Sequence, residues 1–428
     1  MKNNAVDKFF LPSARVSNIQ SAVIQDIFAL IKRNRGTLSL SQGVPFFGPP
    51  PESLEYLSNA SKEPVAEHGY GPDAGEDELR ETLGKKLLEE NSIDVDWKRQ
   101  VIITAGANQA FFNILMAVGD EGDEIIIFSP YYFNHEMAIR MAGLKPVVVR
   151  CRYEDEFLPK VNEIRKAISR KTKAIVTVSP SNPTGKVWPP SLLKEINRLC
   201  KKEGIFHISD ETYEYFTFDK HVHYSPGSAP GASDYTFSIF SFSKAYGIPG
   251  WRLGYYTFPS YMYEDMIKIQ DSLVICPSPL LQRAVLAGLN ARGRSWAKAH
   301  LKEMERSRKV LLKQLRKCGI ALDIIGGEGG YYLYIRIKPD VFEGYGEGKN
   351  STIEKQTSCT NIKTPITSKE LMVRLIEDYK IAVVPGYAFG MDDLSLRVSF
   401  GNLTGKKIGE AAERLLNGLA WVMHRAPD

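Results

Sequence analysis

The 428-residue chain is 43% hydrophobic and 25% charged, values ordinary for a soluble globular protein able to hold a large core and a second, smaller domain. Its formal charge of +5 arises from 55 basic and 50 acidic residues spread along the chain, which argues for a mixed solvated surface and against a nucleic-acid partner. Met1–Lys8 lacks the apolar core of a signal peptide, no run approaches transmembrane length, and Cys151, Cys200, Cys276, Cys318 and Cys359 show no CxxC spacing. No membrane span, metal site or disulfide framework is therefore expected, and the cytoplasm is the expected compartment.

In chain order, apolar residues at Ile19, Val23, Ile27, Leu30 and Ile31 predict an amphipathic helix from Ile19 to Ile31. Gly43, Pro45 and Gly48–Pro51 predict a loop. A second glycine-rich loop, His68–Gly75, precedes a helix over Glu76–Asn91; it does not match GxxxxGK[ST], so a nucleotide P-loop is not expected. Val101–Thr104 reads as a strand, Ala105–Gln109 as a tight turn and Ala110–Val118 as a helix. Apolar runs then recur at Glu124–Phe128, Pro146–Val149, Ala174–Val178, Phe206–Ser209 and Thr236–Phe242, with helical spacing between them at Phe133–Met141, Val161–Ile168 and Leu192–Glu203. Near-continuous apolar strands alternating with helices predict a three-layer α/β/α fold around a mostly parallel sheet. Ligands of such sheets sit at the carboxyl ends of the strands. Gly106, Asp210, Lys244 and the loop after Val178 all fall there. Beyond Tyr261 the pattern changes to a charged helix over Trp296–Lys317, a strand over Tyr331–Ile337, a polar insertion at 343–367, a helix over Ser368–Tyr379, strands at Ile381–Val384 and Leu394–Phe400, and a last helix. These predict a smaller α+β domain. The expected division is 1–45 as an N-terminal arm, 46–290 as the large domain and 291–428 as the small one.

Five short motifs stand in order: Ala105-Gly-Ala-Asn-Gln109, Ser181-Asn-Pro-Thr-Gly185, Ser209-Asp-Glu-Thr-Tyr213, Ser241-Phe-Ser-Lys244 with Arg252, and Leu396-Arg-Val-Ser-Phe400. A lysine at the end of an apolar strand must have its charge neutralised or used, and Schiff-base formation with a carbonyl cofactor suits it. Together the motifs resemble the class I and II aminotransferases, enzymes of the fold-type I pyridoxal-phosphate group. The likeness runs from about Ile19 to the last helix. Pro130–Asn134, Thr212–Phe216 and Lys268–Asp271 are similar to the plant-type aromatic and methionine aminotransferases.

The resemblance implies a role for each residue. Lys244 would carry the cofactor as a Schiff base and then move the substrate's α-proton. Asp210 would face the pyridine nitrogen. Tyr213 and Asn182 would hydrogen-bond the phenolate oxygen, although Asn-Pro alone is also a β-turn signal. Gly106, Ala107 and Asn108 at a helix start, with Ser241 and Arg252, would hold the phosphate. Tyr132, with Tyr131 as the neighbouring candidate, would stack on the ring, and core packing is the other reading of either tyrosine. Tyr70 would reach the phosphate of the other subunit, which implies a homodimer with shared active sites. Arg397 would grip the substrate α-carboxylate beside Gly43. Dicarboxylate-specific relatives draw a second arginine from the segment matching Ile269–Cys276, which has none here. Phe46, Phe47, Tyr387 and Phe389 are expected to add aromatic surface, favouring aromatic or neutral donors; Asp271 leaves a basic donor open. The expected activity is amino transfer to a 2-oxo acid. A C–S β-lyase on the same scaffold and a non-catalytic regulatory relative are the alternatives.

Overall fold

Apolar runs separated by helices build one large sheet. The computed structural model describes residues 12–20, 23–60, 68–338 and 366–423. Its strands are β1 (Leu38–Ser39), β2 (Val101–Thr104), β3 (Glu124–Ser129), β4 (Lys145–Arg150), β5 (Thr172–Val178), β6 (Phe206–Asp210), β7 (Thr236–Ser241) and β8 (Gly254–Thr257), then β9 (Leu322–Gly326), β10 (Tyr332–Ile337), β11 (Ile381–Ala382), β12 (Val384–Pro385) and β13 (Ser395–Ser399). Seven of them pair in the order β2-β8-β7-β6-β5-β3-β4. The expected parallel sheet carries one reversed strand, β8, which is antiparallel to both β2 and β7.

Alternation along the strands explains the layers. Ile125 and Ile127 of β3 enter one apolar cluster with Phe111, Ile114 and Ile139, whereas Ile126 and Phe128 enter another with Leu193 and Ile196. Successive side chains leave opposite faces of a strand, so both faces of β3 are covered by helices, Ala107–Val118 and Phe133–Met141 on one side and Pro190–Glu203 on the other. The second sheet, β12-β13-β10-β9, is antiparallel, and β1 pairs in parallel with β11. Its core combines Leu333, Ile335, Leu396 and Val398 with Met304 and Leu311 of the helix Ser295–Lys317 and with Ala411 and Leu415 of the helix Lys406–Met423.

Several expected boundaries shift. The N-terminal helix runs over Val23–Arg33 rather than from Ile19, behind a separate short turn at Ala14–Ser17. Pro51 does not extend a loop but opens the helix Pro51–Ala60, as its fixed φ and missing N–H allow at a first helical position. The turn expected at Ala105–Gln109 becomes helix from Ala107, and the strand expected over Ile381–Val384 divides into β11 and β12. Helices Tyr263–Val274 and Pro279–Arg292 were not foreseen. Their buried faces carry Gln270, Gln282 and Gly288, polar or small residues that blur an apolar period. The insertion expected at 343–367 falls outside the described residues up to 365, as do Met1–Lys8 and Cys359. No single helix among the described residues is long and apolar enough to cross a membrane.

The loop between Asn182 and β6 is fastened to the second sheet. Gly185 has φ +69°, and a Cβ there would lie 2.1 Å from the Tyr332 carbonyl oxygen. Its own carbonyl accepts from Glu328 N at 3.1 Å and Gly329 N at 3.0 Å. Replacing Gly185 by Ala should therefore cost about 2–4 kcal/mol, from left-handed backbone strain plus a backbone clash. Urea unfolding of the variant measures this, and an unchanged midpoint would show that the loop relaxes freely.

Candidate active site

The carboxyl ends of β2, β5, β6 and β7 open onto one cavity of about 290 Å³. It is lined by Gly43, Ala107, Asn108, Tyr132, Asn182, Asp210, Tyr213, Ser241, Lys244, Arg252 and Arg397, so eleven of the thirteen site residues expected from sequence converge. Gly106 stands directly behind. It has φ +89°, and a Cβ there would lie 2.4 Å from Arg252 Nη2, so only glycine admits both the turn and the arginine. Tyr70 does not line the cavity; it is 85% exposed.

Asp210 ends β6 and is buried. Its Oδ1 accepts from Thr212 N at 3.0 Å, and its Oδ2 lies 3.2 Å from His135 Nε2. Burial works to raise the Asp210 pKa, but His135 and the Thr212 hydrogen bond prevail and hold it below the ordinary carboxylate value. His135 is itself seated between Phe111 (ring centroids 4.1 Å apart) and the edge of Tyr132 (5.1 Å). Burial pushes the Tyr132 hydroxyl up to about 12, so it stays neutral.

Lys244 lies in the short helix Phe242–Ala245, which Ser241 caps by accepting from Ser243 N. Its Nζ donates to Gly43 O at 2.5 Å, and Tyr331 OH donates to the same oxygen at 3.0 Å. Burial pushes the Lys244 ammonium down to about 8; the charges of Arg397 and Arg252 act in the same direction, and Asp210 opposes them. Arg397, on β13, donates to Asn182 Oδ1 at 2.8 Å and Ser41 O at 2.6 Å, while its buried Nε has no partner among the described residues. Arg252 donates to Pro249 O at 2.8 Å and Ala105 O at 3.5 Å. The three cations thus rest on neutral oxygens. The helix Ala107–Val118 begins beside them with no side-chain cap on its first turn, leaving N–H groups for an anion.

Not expected from sequence are His135, which backs Asp210, and Thr212, Ser243, Tyr332 and the apolar wall of Ile24, Phe28 and Val44, which line the cavity. Of these only His135, three residues along from Tyr132, carried a usable signal, as a histidine on the buried face of a helix. The four aromatics expected near the site do not line it. Phe46 and Phe47 pack on His300. Phe389 is fully buried, its ring centroid 5.3 Å from the Arg397 guanidinium carbon. Tyr387 instead packs at the rim of the core that holds Phe389. Asp271 is exposed on its helix and is not part of the cavity wall of this chain.

The depressed Lys244 pKa has a stability consequence. Between pH 8 and the ordinary 10.5, the unfolded chain binds a proton at this position that the folded chain does not, so folding stability gains with rising pH. Lys244→Met should accordingly be more stable than the parent below pH 8 without added ligand, with the gap narrowing towards pH 10.5. Chemical denaturation at stepped pH measures it; a gap constant across that window would contradict the assigned shift.

Residues 35–415 match the family described as aminotransferase class I and II. An aromatic aminotransferase of Arabidopsis thaliana is 33% identical over 97% of this chain and 98% of its own length. An aspartate aminotransferase of Pyrococcus abyssi is 33% identical over 94% of this chain and 97% of its own. Among solved structures, an aromatic aminotransferase from Pyrococcus horikoshii superposes with a TM-score of 0.79 at 33% identity, covering 92% of this chain and 99% of that one. The Thermus thermophilus aspartate aminotransferase with maleate gives 0.82 at 28% identity, covering 96% and 100%. A family match over most of the chain, and relatives one third identical along nearly their whole length, show that the chain belongs to the class I and II aminotransferases.

Proposed function

We propose that this aminotransferase is pyridoxal-phosphate-dependent and moves the amino group of an aromatic or neutral amino acid (phenylalanine, tyrosine, tryptophan or methionine) to a 2-oxo acid. The observation that carries the reading is the meeting of Lys244, Asp210, Asn182 and Arg397 in one cavity. The cofactor fits the residues present: its phosphate has Arg252, Ser241 and an uncapped helix start, and the absence of a Cβ at Gly106 leaves Arg252 its place. When bound, pyridoxal phosphate supplies an aldehyde to carry the amino group and a ring to accept the electron pair released at the substrate's α-carbon.

The chain's own groups do the rest. Lys244, with its pKa lowered to about 8, is partly neutral near physiological pH and can take a proton from the α-carbon and return it. Asp210 stays ionised and offers a fixed negative charge to a protonated ring nitrogen. Arg397 presents a planar fork to the α-carboxylate. Tyr132 bounds the cavity with a neutral aromatic face.

Donor choice rests on charge. The cavity's cations among the described residues are Lys244, Arg252 and Arg397, and all three have roles, so a second substrate carboxylate finds none to spare among them. The wall of Ile24, Phe28 and Val44 suits an apolar side chain. Tyr70 supports a homodimer with shared sites: it is exposed, Gly71 N donates to Cys276 Sγ at 3.3 Å, and Leu273 and Ile275, just before Cys276 in sequence, are exposed as well. The two sheets support the division into 46–290 and 291–428, with 1–45 as the arm, and the free buried thiols of Cys151 and Cys200 accord with a cytoplasmic setting.

The test offers single amino acids with pyruvate and measures the oxo acid and alanine formed. The aromatic donors and methionine should exceed aspartate in kcat/KM by at least about tenfold, the discrimination of an unpaired buried carboxylate. Aspartate as the best donor would overturn the donor assignment; ammonia and pyruvate released from a sulfur-linked amino acid without alanine would favour the lyase. Lys244→Ala should lose the cofactor adduct that borohydride fixes, read by intact mass.

A further inference from the structure

The geometry points to Tyr332 as a positioning residue that couples the two ends of the site: its hydroxyl donates to Tyr213, and its ring seats the Arg397 guanidinium. Three contacts carry this. Tyr332 OH and Tyr213 OH are 2.5 Å apart. The Arg397 guanidinium carbon stands 4.5 Å from the Tyr332 ring centroid, within cation–π range. A Cβ on Gly43 would lie 2.1 Å from the Tyr332 hydroxyl oxygen. The loop that supplies Gly43 is therefore shaped around this hydroxyl, which explains the glycine better than a need for substrate approach.

The direction of the shared proton follows from the surroundings. Tyr332 lies against the positive charge of Arg397, which makes its hydroxyl the more acidic of the pair and so the better donor. Tyr213 is buried among Tyr331 and Tyr332, its ring 5.2 Å and 5.5 Å from theirs in edge geometry. The titratable groups facing Tyr332 are Tyr132, Tyr213, Tyr331 and Arg397. With Tyr332 donating, the proton of Tyr213 is left for the cofactor's phenolate oxygen, and the hydrogen-bond chain polarises it. The same side chain then supports the carboxylate grip through Arg397. One residue thereby links donor recognition to cofactor acidity.

This role rests on the transaminase reading, and three variants test it in the cofactor-loaded protein. In Tyr332→Phe the pH midpoint of the bound cofactor's absorbance should rise by about half a unit, while binding of 3-phenylpropionate, a carboxylate that cannot react, stays within about twofold because the ring remains. In Tyr332→Leu that binding should weaken about tenfold. On a Tyr213→Phe background, Tyr332→Phe should add no further midpoint shift, because the two hydroxyls act as a pair. An unchanged or lowered midpoint in Tyr332→Phe, a shift that persists without the Tyr213 hydroxyl, or unimpaired 3-phenylpropionate binding in Tyr332→Leu would each overturn the coupling. Failure of the parent protein to bind pyridoxal phosphate or to transaminate would instead overturn the transaminase reading itself.

Discussion

Among the described residues, three cations and one carboxylate face a single cavity, and the three rest on neutral oxygens. Such a cluster is repelled by itself and pulled towards anions. The repulsion is visible in Lys244, whose proton is loosened by burial and by both arginines. The phosphate and carboxylate of the proposed function would each meet one arginine of this set. Asp210 is the counterweight, and its charge survives burial only because His135 and Thr212 hold it. The loosened proton of the lysine and the positive character of the cavity thus have one electrostatic cause.

Holding like charges together demands a stiff frame. The loop bearing Asn182 is closed on itself by Gly185 N to Ser181 O at 2.9 Å and Ser181 N to Lys186 O at 2.8 Å. Buried Lys186 then pairs with Glu156 and with Glu328, and Glu328 also accepts from Val187 N at 3.2 Å. Arg308 bridges the Gly327 carbonyl to Asp219. Breaking one partner of such a buried pair leaves an uncompensated charge, so the turn and the second sheet move together or not at all. Arg397 reaches Asn182 across that junction, which ties the second sheet to the carboxyl end of β5.

What was legible in the sequence was what is local in the chain. A strand, its end and the turn after it lie within a dozen residues, so Gly106, Asn182, Asp210 and Lys244 announce themselves as motifs. Strand period and helix spacing likewise fixed most of the large sheet. The reversal of β8 was not legible, because an antiparallel strand buried along its whole length reads like a buried parallel one. Helix Tyr263–Val274 was hidden by Gln270, which turns inward to reach Asn113 and the Ile103 carbonyl. Phe46 and Phe47, a few residues after Gly43, turn to His300 and not to the cavity for a simpler reason: proximity in sequence to a site loop does not say which face a ring takes.

Tyr332 shows the limit most clearly. In the run Tyr331-Tyr332-Leu333-Tyr334, strand alternation separates Tyr332 and Tyr334 from Tyr331 and Leu333, but all three tyrosines are fully buried, and apolar packing explains each equally well. The choice is made by partners more than a hundred positions away in the chain, Tyr213 and the loop at Gly43, which both meet the ring at its hydroxyl. Tyr334 turns its hydroxyl to Ser395 instead. The same reasoning applies to the apolar wall of the cavity, Ile24, Phe28 and Val44, which comes from the first fifty residues. The chemistry of the site is written in compact motifs on strand ends, whereas its selectivity is assembled from single residues on distant elements, each unremarkable until the fold brings it to the cavity.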